Sequence, residues 1–190
     1  IDYKTLEQYH EGVVCLSACL AGDIPQAIMN RDFDEAERLV KWFKDLFGDD
    51  FYIEVQNHHL PEQLEVNVKL FEYAEKYGIK TVATNDVHYV NQDDAEMQDV
   101  LMCVQMGKTV DDPDRLKLPC DEFYFRSGDE MAELFPDHPE AIANTLEIAD
   151  KCNYKYVYGH YLFPRYEPVT GEEPLVYLRK LIDEGIKKKY

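Results

Sequence analysis

Thr81-Val82-Ala83-Thr84-Asn85-Asp86-Val87-His88-Tyr89 decides how the rest of the chain is read. Its first residues are β-branched and apolar, the signature of a buried strand. Asn91-Gln92-Asp93-Asp94-Ala95-Glu96 follows and reads as a helix start. An Asp-x-His at a strand end is expected to send both side chains to one side, because strand side chains alternate with a period of two. Carboxylate and neutral imidazole both bind zinc- or manganese-like ions. Strand ends are also where barrel enzymes build their sites. The same tripeptide suits a plainer role, with Asp86 capping the next helix and His88 on the surface.

The preceding sequence repeats the strand–loop–helix order twice. Gly12 to Ala18 reads as a strand, Cys19 to Asp23 as a loop, and Asp23 as the cap of a helix with Pro25 in its first turn. Asp32 to Phe47 reads as an amphipathic helix, with Phe33, Ala36, Leu39, Val40, Phe43 and Phe47 at three- and four-residue spacing, and Gly48 ends it. Phe51 to Gln56 is the second predicted strand. Pro61 then opens a helix carrying Leu64, Val68, Leu70, Phe71, Ala74 and Tyr77, which Gly78 ends. Ile79 to Thr84 is the third strand, and Asp93 to Met106 its helix. Three such blocks in a row predict an α/β protein with a parallel sheet, either barrel or doubly wound. Three strands do not close a barrel.

Beyond Gly107 the pattern changes. Lys108 to Cys120 reads as an extended connection, Glu122 to Arg126 as a short strand, and Ser127 with Glu130 as a capping box opening a helix to about Leu134. Further helices are predicted at Pro139–Asp150 and Pro174–Lys189, with a Tyr- and Pro-rich linker at Tyr154–Pro168. The last helix carries Leu175, Leu178, Leu181, Ile182 and Ile186 on one face, which calls for a partner.

Acidic residues outnumber basic ones 38 to 20, a net charge of -18. Such a surface repels phosphate backbones, so this segment is not expected to be the main nucleic-acid-binding surface of anything. No apolar run approaches the ~20 residues of a membrane helix, and the polar start Ile1-Asp2-Tyr3-Lys4-Thr5 lacks both a signal peptide and an initiator Met. The five cysteines form no CxxC pair, which points to a reducing cytoplasm rather than a disulfide framework.

Six segments in order, Leu16–Gly22, Tyr52–His58, Ala83–Tyr89, Asp99–Thr109, Glu122–Phe125 and Asn144–Ala149, resemble the PHP (polymerase and histidinol phosphatase) domain of bacterial DNA polymerase III alpha subunits. The resemblance implies part of a distorted (β/α)7 barrel with a metal-binding cleft, followed by a mainly helical extension. It implies that Asp86 and His88 are the last ligand pair of that cleft and that Cys19 is a further ligand; without the resemblance Cys19 reads rather as a small buried apolar residue. Glu54 and His58 lie in a matched segment but are not carried over as ligands, and His58 is expected to pack or hydrogen-bond in its loop. His10, His59, His138 and His160 match no ligand position.

The implied organisation is the C-terminal part of a PHP domain at 1–110, a connection at 111–160, and the beginning of a palm domain at 161–190. The His-x-His or His-x-Asp segment that opens such domains is missing, so the chain is expected to start inside the domain. The polymerase active site with its magnesium is expected beyond Tyr190. The expected function is a share in a metal-dependent phosphoesterase site, using zinc or manganese for 3′–5′ exonuclease or pyrophosphatase chemistry, or in a structural platform. The expected partners are DNA, mainly outside this segment, and the other holoenzyme subunits, in the bacterial cytoplasm and with no membrane. Two other readings are a stand-alone PHP phosphatase acting on a small phosphorylated metabolite and an acidic interaction domain. The segment from Asp111 onward speaks against the phosphatase, which has no use for it.

Overall fold

A computed structural model describes all residues, Ile1–Tyr190. They form two compact units, Ile1–Cys152 and Asn153–Tyr190. The first begins with helix α1 (Tyr3–Tyr9), capped by the Asp2 carboxylate, and continues with β1 (Cys15–Leu16), α2 (Asp23–Met29) and α3 (Phe33–Phe47). A short 3-10 turn leads into β2 (Phe51–Val55), then come α4 (Pro61–Tyr77) and β3 (Lys80–Ala83). After a second 3-10 turn come α5 (Ala95–Met106), α6 (Gly128–Leu134) and α7 (Pro139–Lys151). The second unit holds α8 (Pro174–Lys189).

Most of the expected helices form, and for local reasons. Asp32 accepts from the Glu35 amide and starts α3. Gly78 takes the left-handed conformation that ends α4. Ser127 and Glu130 cap α6 reciprocally. Others differ. α1 carries no apolar stripe and gave no signal. Asp23 is the first residue of α2 rather than its cap, which is Gly22. The strand expected at Gly12–Ala18 is only two residues long, paired with Phe51 and Tyr52. In α4 the buried face is Gln63, Val66, Asn67, Leu70, Tyr73 and Ala74, whereas Leu64 and Val68 face solvent. Gln63 and Asn67 sit inward because both find hydrogen-bond partners there, which an apolar pattern cannot register.

The three strands run parallel in the order β1-β2-β3. Phe51, Ile53 and Val55 face one layer, where they join α2, α3 and α4 in a single apolar cluster with Ile24, Leu39, Val40, Val66 and Leu70. Each such side chain removed from water contributes roughly 1.5–3 kcal/mol. Consecutive strand order with the intervening helices on one face is the winding of a barrel arc, not of a doubly wound sheet, whose order reverses. This agrees with a partial PHP-type fold.

Tyr52, Glu54, Val82 and Thr84 alternate onto the other face. α7 rounds the free edge of β3, where Asn144 donates to the Thr81 carbonyl (2.8 Å). It then crosses the amino end of this second face: Glu147 accepts from Tyr52 Oη (2.6 Å) and pairs with Lys80, and Lys151 reaches Asp50 (2.9 Å). The carboxyl end of that face is left to loops.

In the second unit, the Glu173 carboxylate accepts from the Leu175 and Val176 amides and starts α8. Its Leu175, Leu178, Leu181, Ile182 and Ile186 are all exposed.

Candidate functional site

β3 ends at Ala83, and its ladder closes with the Thr84 amide on the Val55 carbonyl (3.1 Å). Asn85 to His88 is therefore loop, not strand. The period-two argument for Asp86 and His88 fails on this point. Asp86 takes a left-handed φ of 42°, which Asp tolerates better than most residues. The loop is held instead by distant backbone. Asn85 Nδ2 donates to the carbonyls of Glu122 (2.8 Å) and Tyr124 (2.7 Å), while its buried Oδ1 has no partner. The His88 amide donates to the Phe123 carbonyl (2.8 Å). The expected strand at Glu122–Arg126 is thus an extended segment joined to this loop by a single parallel bridge, Tyr89 to Tyr124.

His88 is exposed, and its Nδ1 lies 2.6 Å from the Asp86 carbonyl oxygen. A carbonyl only accepts, so Nδ1 carries the proton and the neutral ring presents the lone pair of Nε2. That is the tautomer a metal-binding histidine needs. His58 is the opposite case. It is 1% exposed, with Nε2 3.0 Å from the Asn85 carbonyl and Nδ1 2.8 Å from Gln63 Nε2. Its Nε2 must donate and its Nδ1 must accept, so no lone pair is left for an ion. Burial pushes its pKa down, favouring this neutral form. The expectation that His58 hydrogen-bonds in its loop holds.

Cys19 is half-buried after β1. It lines a small cleft with Glu54, Gln56, Gln63 and Asn67, a cleft that Asp86 and His88 do not line. Glu54 accepts from Gln56 Nε2 (3.0 Å) and from the Thr84 hydroxyl, and its amide donates to Ser17 Oγ (2.8 Å). A polar network thus runs across the carboxyl ends of all three strands. Sequence reasoning missed Ser17, Gln56, Gln63, Asn67, Thr84 and Asn85 as its members. The available signal was Glu54-x-Gln56, two polar residues on one face of an otherwise apolar strand.

No three His, Cys, Asp or Glu side chains are grouped so as to hold a metal ion. Asp86 and His88 share a loop, and Cys19 lines a cleft with Glu54. The donors of this chain alone do not fit a metal centre. No helix is long and apolar enough to cross a membrane.

Residues 1–58 match the PHP domain family. The match includes Cys19 and ends at His58, before Asp86 and His88. Over its full length the chain is similar to DNA polymerase III alpha subunits: 43% identical to that of Borreliella burgdorferi, and 41% to those of Treponema pallidum and Thermus aquaticus. It is a homologue of one segment of that polymerase subunit, for it spans only 17% of the first relative's length and 16% of the other two.

Proposed function

We propose that this chain forms part of the wall of the PHP cleft in a bacterial replicative DNA polymerase. Residues 1–110 would belong to the PHP domain, 111–160 to a connection, and 161–190 to the start of the palm. Asp86, His88 and Cys19 serve as ligands of a zinc or manganese centre, completed by donors from the rest of a polypeptide of the relatives' length. The observation that carries this reading is the His88 ring, set by the Asp86 carbonyl in the tautomer that offers Nε2. The bound metal would supply phosphoester hydrolysis of the 3′–5′ exonuclease or pyrophosphatase type. This chain's own contribution is to hold the ligand loop at the carboxyl end of a barrel-type sheet. Where such a site is incomplete, the same wall serves as a structural platform.

The polymerase chemistry, with its magnesium, lies in this reading outside these residues. DNA is bound mainly elsewhere, because a net charge of -18 opposes it here. The remaining holoenzyme subunits are the protein partners, and the compartment is the bacterial cytoplasm. Similarity that extends through the tail to Tyr190 favours the polymerase over a stand-alone phosphatase.

The test uses a polypeptide of the relatives' length carrying this segment. Its bound zinc and manganese are measured by elemental analysis and its primer extension on DNA is assayed, before and after Cys19→Ala, Asp86→Asn and His88→Ala. The expected result is lost metal with retained primer extension. Unchanged metal content overturns the ligand assignment, and absence of primer extension by the parent polypeptide overturns the polymerase assignment.

A further inference from the structure

We propose that His58 is a positioning residue, a buried latch that fixes the Asp86–His88 loop through the Asn85 carbonyl. The proposal deepens the reading of Asp86 and His88 as ligands and rests on it for its functional meaning.

A buried imidazole is costly unless both nitrogens are satisfied. Here the satisfaction is specific. Gln63 brackets His58 from the first turn of α4: its Oε1 accepts from the His58 amide (2.7 Å), and its Nε2 donates to Nδ1. This arrangement fixes the tautomer and aims Nε2–H at Asn85. Phe123 lies against the ring, with centroids 4.1 Å apart. The recipient loop needs such a hold, since a non-glycine residue at positive φ persists only where its surroundings dictate it. The other ties of Asn85 and His88 run to the 122–124 segment. The His58 bond alone ties the Asn85–His88 stretch to the β2–α4 connection, and so to the sheet.

The test is amide hydrogen exchange on the 190-residue chain with His58→Phe, which keeps a ring against Phe123 but no donor, and His58→Gln, which keeps an N–H at similar reach. In His58→Phe the His88 amide is expected to exchange about 30-fold faster. The amides of Leu39 and Val40, inside α3, are expected to change less than about threefold, which marks a local opening. His58→Gln restores protection. Unchanged exchange at His88 overturns the latch, as does equal acceleration in both variants or acceleration in step with Leu39 and Val40. If His58→Phe fails to fold, Gln63→Ala decides: it frees the tautomer and is expected to accelerate His88 exchange selectively, and no acceleration overturns the proposal. Metal content of the longer polypeptide separates the two ideas. A loosened loop with unchanged metal sinks the ligand reading and leaves the latch standing. Metal lost with His88→Ala, but no loosening with His58→Phe, does the reverse.

Discussion

The helix-facing side of β2 and its carboxyl end are built on opposite principles. Beneath Ile53 and Val55 everything is apolar, and both residues are fully buried. A few residues on, the buried side chains are polar: Ser17, Gln56, His58 and Asn85 follow the strand ends, Gln63 and Asn67 reach in from α4, and Thr81 is the one buried polar residue inside a strand. One region is held by area removed from water and the other by matched donors and acceptors. Polar burial concentrated at the carboxyl ends of parallel strands is the pattern of a ligand-facing edge. The contrast implies global consequences for damage to the first region and local ones for damage to the second.

The largest expected effect is Ile53→Ala. It leaves a cavity in the apolar layer and should cost roughly 2–5 kcal/mol, read as a lower urea midpoint with an unchanged slope. A loss under about 1 kcal/mol would mean that the layer collapses around the gap and is less tightly packed than its burial suggests. Next comes Asn85→Ala, which leaves the carbonyls of Glu122 and Tyr124 without their donor at a cost of about 1–3 kcal/mol. Its signature is local: proteolytic cleavage should appear between Val87 and Arg126 while the helices around β2 stay resistant. Equal loss of protection in α3 would erase the distinction between the two regions.

The dry region was largely legible in the sequence, and the polar edge was not. α3 declares itself through Asp32, a three- and four-residue apolar spacing and Gly48, all within one window. Ser127 with Glu130 does the same for α6. The edge is built from pairings distant in sequence, such as Asn85 with Glu122 and Tyr124 or His58 with Asn85, which no periodicity encodes. The Asp-x-His motif was singled out on an alternation argument that does not hold, since strand alternation had already ended at Ala83. Cys19 was grouped with that loop through family resemblance, and the cleft it lines with Glu54 and Gln56 left no periodic trace in the sequence. The inward face of α4 was misread because two of its residues, Gln63 and Asn67, serve the polar edge rather than the apolar core.

A smaller effect tests the outer seam of the dry region. Glu37 on α3 accepts from Tyr77 and pairs with Lys41 (2.9 Å) and Lys76 (3.0 Å), linking α3 to α4. These partners, Tyr77 first, hold its pKa at about 2, below the ordinary 4.5. The unfolded chain therefore takes up the proton first. The contribution is fully present above about pH 4.5 and is lost as the pH falls from there toward 2. Glu37→Gln should flatten the acid limb of the stability curve in that window and lower neutral stability by the same amount, a small one because solvent still screens the half-buried group. An identical acid limb in the variant would show that the seam contributes nothing.

The smallest expected effect on stability concerns the candidate ligands themselves. Asp86→Asn keeps a residue that tolerates the left-handed backbone, and His88 is exposed, so Asp86→Asn with His88→Ala should shift stability by no more than about 0.5 kcal/mol. Calorimetry of the 190-residue chain with zinc or manganese is expected to give binding weaker than micromolar, because two loop donors without a third make an open, loosely held site. Sub-micromolar binding that the double variant abolishes would mean that the polar edge closes around an ion by itself, with Cys19 or Glu54 swinging across to complete the set. A large stability loss in the double variant without any metal binding would instead assign Asp86 and His88 to holding the loop, and would remove the chemical reason for the contrast between the two ends of the sheet.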